Sequence, residues 1–374
     1  MLSFVTAFCA LLLLCNSNTG AFSVTSSSNN HHSRQRIVSL LKASSGKGFG
    51  APKANQTPKK EKQTNEKGKK KKAPSTNKPY VKSETDAWLA ELQEQASQSV
   101  LGQAVQGTDD PFWQLIPSLL KSKFSVNDKE LIRIAGFLRH AVNPDLPKLE
   151  EPLDPFRPVD ELHAYMPGLG PGQPFYEPSQ VALCQQLTKH YDTIVQEYHA
   201  LMEDSVDRFQ SVTSMNYESG WKTLVLFYNG HRIPNFPYHL CPTTTRLLET
   251  VPLAGRIAGF NRQQPNSGIP NHTDGNNMWL TAQMGIELEP ESAWIQVADQ
   301  KRYYEKGKCL LYDTTYRHET FNAHKTQERV VLHVDFFNTI TMTPIEIKMM
   351  QYIYTLREEF MKAEGIAKVG AQIL

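Results

Sequence analysis

After Gly220 the sequence becomes a series of short runs of β-branched and aromatic residues bounded by turn residues. Within several runs apolar and polar residues alternate with a period of two, which is typical of strands. A series of short strands without intervening helices predicts an antiparallel sandwich or barrel. The five predicted strands are residues 221–228, 278–288, 293–298, 308–312 and 329–337.

Helical patterns flank these strands. Apolar residues recur at helical spacing in residues 83–140 and again in residues 179–204, with a proline-rich arm at 143–176 between them. A last helix is predicted at 343–363. The predicted parts of the folded chain are a helical region with its linker (80–215), the strand domain (216–345) and a C-terminal helix (346–374).

The N-terminal 79 residues have the composition of targeting segments. An apolar run at residues 2–15 is too short for a membrane span and predicts a signal peptide at 1–21, leaving no span in the mature chain. Residues 22–79 are Ser-rich, basic and poor in acids, as in a transit peptide followed by a basic disordered linker. The junction at Ala21-Phe22 resembles the cleavage motif of plastid-targeted proteins in diatoms, which implies a plastid location. The alternative is secretion with a disordered basic stalk.

The chain is nearly neutral overall because a basic N-terminal segment offsets an acidic remainder. Residues 1–79 contain fourteen Lys and Arg and two Glu, a net charge of +12. Because the whole chain is +2, residues 80–374 carry −10. An acidic body argues against nucleic-acid binding by the folded domain, although residues 69–72 could still contact RNA or an anionic membrane. Three cysteines after the signal peptide (Cys184, Cys241, Cys309) allow at most one disulfide and predict no zinc site.

A candidate metal site begins in the segment NHTDGNN, where His272 and Asp274 are separated by one residue just before a predicted strand. His318, in YDTTYRHETF, is the candidate third ligand. Two imidazoles and one carboxylate on one face of an octahedron leave three positions open, which suits oxygen-using iron(II) chemistry. The alternative is a turn in which Asp274 forms a local hydrogen bond ahead of Gly275.

Polar residues alternate on two of the strands beside this motif. Arg329, Val331, His333 and Asp335 share one face of their strand, opposite a fully apolar face. Trp279, Thr281 and Gln283 share one face of the strand that follows Asp274. A buried guanidinium needs a counter-charge and suits a carboxylate, so these strands predict a ligand-binding interior. The alternative is the solvent face of an ordinary sandwich.

Several ordered blocks of sequence from about residue 166 to 344 resemble the aspartyl/asparaginyl β-hydroxylase family. They include PGL, PFYEP, GWKTLVLFYNGHR, NHTDGNN, GKCLLYDTTYRHETFN and ERVVLHVDFFN. The resemblance implies a mainly β fold with flanking helices, a double-stranded β-helix (cupin-type jelly roll) preceded by a helical region. It also implies that His272 and His318 bind iron and that Arg329 binds the distal carboxylate of 2-oxoglutarate.

Two positions depart from the family pattern. Animal members have glycine where Asp274 stands, so this chain resembles a version with a complete triad of two histidines and one carboxylate. The arginine and histidine that hold the proximal part of 2-oxoglutarate in the family correspond here to Thr281 and Gln283. Both are hydrogen-bonding side chains without charge, and they are the predicted cosubstrate contacts together with Arg329.

The resemblance implies a dioxygenase that uses Fe(II), 2-oxoglutarate and O2 to hydroxylate a peptidyl or small-molecule substrate. The substrate classes left open are a peptidyl Asp, Asn or Pro, a free amino acid and an acyl chain. One alternative is a non-catalytic jelly roll that binds a metal, a carboxylate or another protein. Another is an interaction protein that binds through the basic segment 59–72.

Overall fold

The structure is a computed structural model that describes residues 91, 94–148, 153–204, 209 and 220–363. The predicted signal peptide, transit segment and plastid address therefore lie outside the described residues. The elements below belong to one unit, Gln93–Leu374. None of the helices in the described ranges combines the length and the apolar character needed to cross a membrane.

Seven α-helices are described in full. Three of them precede the first strand. The second, α2, begins at the Asp110 cap, whose carboxylate accepts from the Phe112 N–H at 2.9 Å. The third, α3, follows a 3-10 turn that begins with a capping box at Asn127. The helices are α1 Val100–Ala104, α2 Pro111–Lys123, α3 Ile132–Val142, α4 Ala182–Lys189, α5 Tyr191–Glu203, α6 Pro242–Leu248 and α7 Pro344–Ala363.

Eleven strands in the described residues form two antiparallel sheets. They are β1 Phe175–Tyr176, β2 Trp221–Tyr228, β3 His231–Arg232, β4 Leu253–Gln263, β5 Ser267–His272, β6 Trp279–Glu287, β7 Ala293–Val297, β8 Gln300–Tyr303, β9 Cys309–Tyr312, β10 His318–Asn322 and β11 Arg329–Phe337. The larger sheet has the order β1-β9-β6-β11-β4-β2-β3, and the smaller has β5-β10-β7-β8. This mainly antiparallel jelly roll with flanking helices is the fold class that the sequence predicted.

The larger sheet has an apolar outer face covered by helices. Apolar side chains of α4, α5 and α6 pack with those of the sheet in one buried cluster, in which Leu332 of β11 is fully buried. Burial of such side chains is the main favourable term in folding, about 1.5–3 kcal/mol each. Because this face is covered, the alternate residues of the same strands point between the two sheets.

The N-terminal helices are tied to the C-terminal helix by a charged pair. Arg133 of α3 forms a bidentate ion pair with Glu346 of α7, and its guanidinium also donates to the Gly168 and Thr341 carbonyls at 3.1 Å. Arg133 and the other donors to Glu346 overcome the burial of that carboxylate and lower its pKa. The helical region and α7 therefore pack as one layer beside the sheets.

Several predicted elements differ from the structure. The helix predicted at 179–204 is divided into α4 and α5 at His190, after a short 3-10 turn at Pro178–Gln180. The expectation of strands without an intervening helix was wrong, because α6 lies between β3 and β4. β4 and β5 were not predicted, since Gly, Asn, Arg and Gln within them hide the alternation of apolar residues.

The three described cysteines are free and buried, so none of them forms a disulfide. Cys309 of β9 donates to the carbonyl of Cys184 in α4 at 3.6 Å. These thiols behave as small apolar side chains of the core.

Candidate metal centre

The smaller sheet brings two histidines together. His272 is the last residue of β5 and His318 is the first of β10, and the two are direct partners in the antiparallel register. Their ring centroids lie 4.2 Å apart. Strand pairing therefore brings together two histidines that are 46 residues apart in the sequence.

Each ring is held by a backbone carbonyl. Nδ1 of His272 lies 2.8 Å from the Pro270 oxygen, and Nδ1 of His318 lies 2.9 Å from the Tyr316 oxygen. With a proton assigned to Nδ1, each ring donates this hydrogen bond and leaves Nε2 as an acceptor. Carbonyl-oriented imidazoles of this kind are the usual arrangement of histidine metal ligands.

Asp274 completes the cluster. Its backbone N–H donates to the Thr314 carbonyl at 3.0 Å, which fixes the loop that follows β5. One carboxylate oxygen, Oδ1, lies 3.9 Å from Nε2 of His272, and ligand atoms of Asp274 and the two histidines all lie within 4.8 Å of one another. The other oxygen pairs with Arg256 and does not cap the turn.

The turn after Asp274 depends on glycine. Gly275 has φ of +67°, and a Cβ there would lie 2.4 Å from Nδ1 of His163. The His163 and Ala164 backbones both donate to the Gly275 carbonyl, at 2.9 and 3.1 Å. The proline-rich arm therefore packs directly against the loop that carries Asp274.

The protonation states favour metal binding. Burial, together with nearby His272, lowers the pKa of His318 to about 4, so its imidazole is neutral at pH 7. Burial opposes ionisation of Asp274, but Arg256 and then His318 outweigh it and hold the pKa of Asp274 well below its usual range. The cluster therefore offers two imidazoles, that of His318 neutral, and one carboxylate, the ligand set of non-haem iron(II) sites.

Arg256 of β4 is a site residue that the sequence did not reveal. It pairs with Asp274 and, through Nε at 3.5 Å, with Asp335 of β11. The pairing of β4 with β11 is irregular between Val334 and Phe336, so strict alternation fails and both Arg256 and Ile257 line the interior. Inward and outward residues do not alternate regularly in such a strand, so the sequence pattern could not place Arg256 in the interior.

A cavity of about 420 Å³ opens at the cluster. All three cluster residues line it, as does His163 of the proline-rich arm, a residue that the sequence did not single out. Burial and then Arg256 lower the pKa of His163, so that imidazole is also neutral. The volume lies in the range of small-molecule sites. Further lining residues are Glu161, Trp221, Asn261, Ile269, Thr273, Gln283, Tyr312, Thr314, Thr320 and His333.

Arg329 is fully buried at the start of β11. Its guanidinium lies between two aromatic rings, 4.7 Å from the centroid of Trp221 and 4.8 Å from that of Tyr304. None of its three side-chain nitrogens has a hydrogen-bond acceptor among the described residues. Burial lowers the pKa of Arg329, while Tyr304 and Tyr312 partly offset that effect.

A buried guanidinium without acceptors is costly unless an anion joins it. Arg329 does not itself line the cavity, but Trp221, stacked on it, does. Asn261 and Thr320 also line the cavity with buried side-chain polar atoms that lack a partner among the described residues. The cavity wall thus offers donors and acceptors for an oxygen-rich ligand.

The structure places Thr281 and Gln283 on the interior face of β6, as the alternation predicted. Thr281 donates to Oδ1 of Asp335 at 2.6 Å. The side-chain nitrogen of Gln283 lies 2.8 Å from Nδ1 of His333, and its oxygen accepts from the Tyr304 hydroxyl at 2.5 Å. Both side chains are therefore engaged with protein groups, and only Gln283 lines the cavity.

Curated relatives match this part of the chain. It is 27% identical over 171 residues to the "Ornithine lipid ester-linked acyl 2-hydroxylase" of Rhizobium tropici, covering 44% of this chain and 60% of that protein. It is 25% identical over 175 residues to the "Aspartyl/asparaginyl beta-hydroxylase" of Homo sapiens, covering 44% of this chain and 23% of that protein. The chain thus spans less than two thirds of either relative.

Among solved structures, a 2OG-Fe(II) oxygenase family oxidoreductase from Burkholderia pseudomallei aligns with a TM-score of 0.28 and 13% identity, covering 46% of this chain and 97% of that one. The family model described as Aspartyl/Asparaginyl beta-hydroxylase matches residues 188–339, which contain all three cluster residues and Arg329. This match confirms, over residues 188–339, the resemblance to the aspartyl/asparaginyl β-hydroxylase family that the sequence blocks indicated.

Proposed function

We propose that the chain is an Fe(II)- and 2-oxoglutarate-dependent dioxygenase that hydroxylates a peptidyl or small-molecule substrate. The observation that carries this proposal is the cluster of His272, Asp274 and His318, with ligand atoms within 4.8 Å of one another on one cavity. The family match supports the same reaction class.

The donor set fits iron(II). Two imidazole nitrogens, from His272 and His318, and one carboxylate oxygen, from Asp274, would hold the ion, a donor set that leaves room for further ligands. Bound iron(II) would supply the activation of O2 with oxidative decarboxylation of the cosubstrate. The chain's own contribution is to orient the two rings through the Pro270 and Tyr316 carbonyls and to keep Asp274 ionised.

Arg329 is proposed to bind the distal carboxylate of 2-oxoglutarate. Its guanidinium, which has no acceptor within the described part of the chain, is buried against the rings of Trp221 and Tyr304, where a charge-assisted bidentate pair is strong because water does not compete. A dicarboxylate entering beside Trp221 would supply the missing acceptors. Asn261 and Thr320 offer further hydrogen bonds along its length.

The names of two relatives support two substrate classes as proposals. Their names describe hydroxylation of a lipid-linked acyl chain in one protein and of aspartyl or asparaginyl residues in the other. We propose that this chain hydroxylates a substrate of one of these kinds, or a related amino acid. The cavity of about 420 Å³ can admit the end of a chain or one side chain beside the cosubstrate.

His272→Ala and His318→Ala should each nearly abolish iron binding, because two protein ligands hold the ion far less tightly than three. Metal analysis of the purified full-length variants measures this. His199→Ala is the matched control, since His199 is exposed on α5 and pairs with Glu287 outside the cavity. Iron content at the parent level in either ligand variant would remove the proposed site.

Asp274→Asn should bind iron(II) more weakly than the parent, because the amide keeps the shape of the side chain but lacks the anionic oxygen. Asp274→Gly, which carries the residue of the animal enzymes, should weaken binding while leaving some turnover, since water can occupy the vacated position. Iron titrations and succinate assays compare the variants. An Asn variant equal to the parent in both would leave a site of two histidines only.

Arg329→Ala should raise the 2-oxoglutarate requirement by at least about tenfold, since a charged hydrogen bond contributes roughly 1.5–3 kcal/mol. Iron affinity should stay near that of the parent, because Arg329 is no part of the metal cluster. Anaerobic titration of 2-oxoglutarate, followed by the iron charge-transfer absorbance, measures the change. Arg329→Lys should fall between the two, and equal affinities in all three would assign the anchor elsewhere.

A further inference from the structure

We propose that Arg256 is a positioning residue of this site, which holds Asp274 so that a single carboxylate oxygen faces the metal. The inference rests on the proposed function, because it concerns the same iron site. Arg256 lies on β4, a strand outside the segments that carry the candidate metal ligands.

The first contact is with the ligand itself. Nη1 of Arg256 pairs with Oδ2 of Asp274, while Oδ1 of the same carboxylate lies 3.9 Å from Nε2 of His272. Oδ2 therefore faces Arg256, whereas Oδ1 faces His272. A carboxylate held this way binds as a single-oxygen ligand and leaves the remaining metal positions open.

The second contact anchors Arg256 to the sheet. Its Nε lies 3.5 Å from Oδ2 of Asp335, a residue that is almost completely buried on β11. Nε2 of His333 lies 3.1 Å from the same oxygen, and Thr281 donates to the other one at 2.6 Å. Asp335 is thus held by one hydrogen bond, from Thr281, and lies close to Arg256 and His333 through Oδ2, which makes no hydrogen bond of its own among the described residues.

The chain of contacts continues toward Arg329. His333 meets the side chain of Gln283 at 2.8 Å, and Gln283 accepts from Tyr304, whose ring lies on Arg329. Polar contacts therefore run without interruption from the metal ligand to the neighbour of the cosubstrate anchor. Thr281 and Gln283, which stand where family members carry an arginine and a histidine, belong to this supporting network.

Arg256 is a poorer candidate than Arg329 for binding the cosubstrate. Asp274 and Asp335 already compensate its charge, and both raise its pKa against the effect of burial. Arg329 has no such acceptor among the described residues. A cosubstrate carboxylate that bound Arg256 would have to displace Asp274 from it.

The test compares metal and cosubstrate binding in full-length Arg256→Gln and Arg256→Lys. Cobalt(II), titrated alone and followed by its visible absorption, reports both affinity and coordination. Arg256→Gln should lower cobalt affinity about tenfold or more, which is typical when a residue that orients a metal ligand is removed, and it should alter the spectrum. Arg256→Lys should recover part of the loss, because it restores the charge but not both contacts.

Arg262→Gln is the matched control, since Arg262 lies on the same strand but over the ring of Phe209 and does not line the cavity. It should bind cobalt like the parent. Asp335→Asn should weaken cobalt binding in the same direction as Arg256→Gln. The double variant should lose less than the two single losses combined, because both break one bridge. Thermal unfolding without metal shows that each variant is folded.

Parent-like cobalt affinity and spectrum in Arg256→Gln would overturn the inference while leaving the iron site intact. Unchanged cobalt binding with a large loss of 2-oxoglutarate affinity would instead make Arg256 a cosubstrate contact, which also overturns it. A parent protein that binds neither cobalt nor iron would overturn both this inference and the proposed function.

Discussion

The ion pair between Asp274 and Arg256 is the contact on which the geometry of the site depends. Asp274 lies in the loop after β5 of the smaller sheet, and Arg256 lies on β4 of the larger one. A buried carboxylate is tolerated only with a counter-charge and good geometry. The pair therefore fixes the loop against the opposite sheet and sets the position of Asp274 relative to the two histidines.

Two further charged side chains, Asp335 and Arg329 of β11, are buried in the same interior. Asp274 and Asp335 both pair with Arg256, whereas Arg329 has no acceptor among the described residues, and the charges of these two carboxylates and two guanidinium groups sum to zero. A divalent metal and a dicarboxylate together add no net charge. Binding both would thus preserve the balance of the interior, while the dicarboxylate would supply acceptors to a guanidinium that has none among the described residues. This complementarity would give a physical reason for burying Arg329.

Much of this arrangement could be predicted from local sequence. The alternation in residues 329–337 placed His333 and Asp335 on one face, and the structure has this strand with the predicted bounds. The pairing of His272 with His318 needed the family resemblance, because register joins residues far apart in sequence. Arg256 could not be found, since an irregular strand directs it inward, and the partners of Thr281 depend on neighbouring strands.

Succinate formation from 2-oxoglutarate by the purified full-length protein with iron(II), O2 and a panel of acyl and peptidyl substrates tests the dioxygenase assignment most directly. The predicted result is iron-dependent succinate that rises with one substrate class and disappears in His318→Ala. A protein that binds iron and 2-oxoglutarate but forms no more succinate than His318→Ala with any substrate would contradict the assignment. It would instead indicate a jelly roll that binds these ligands without turnover.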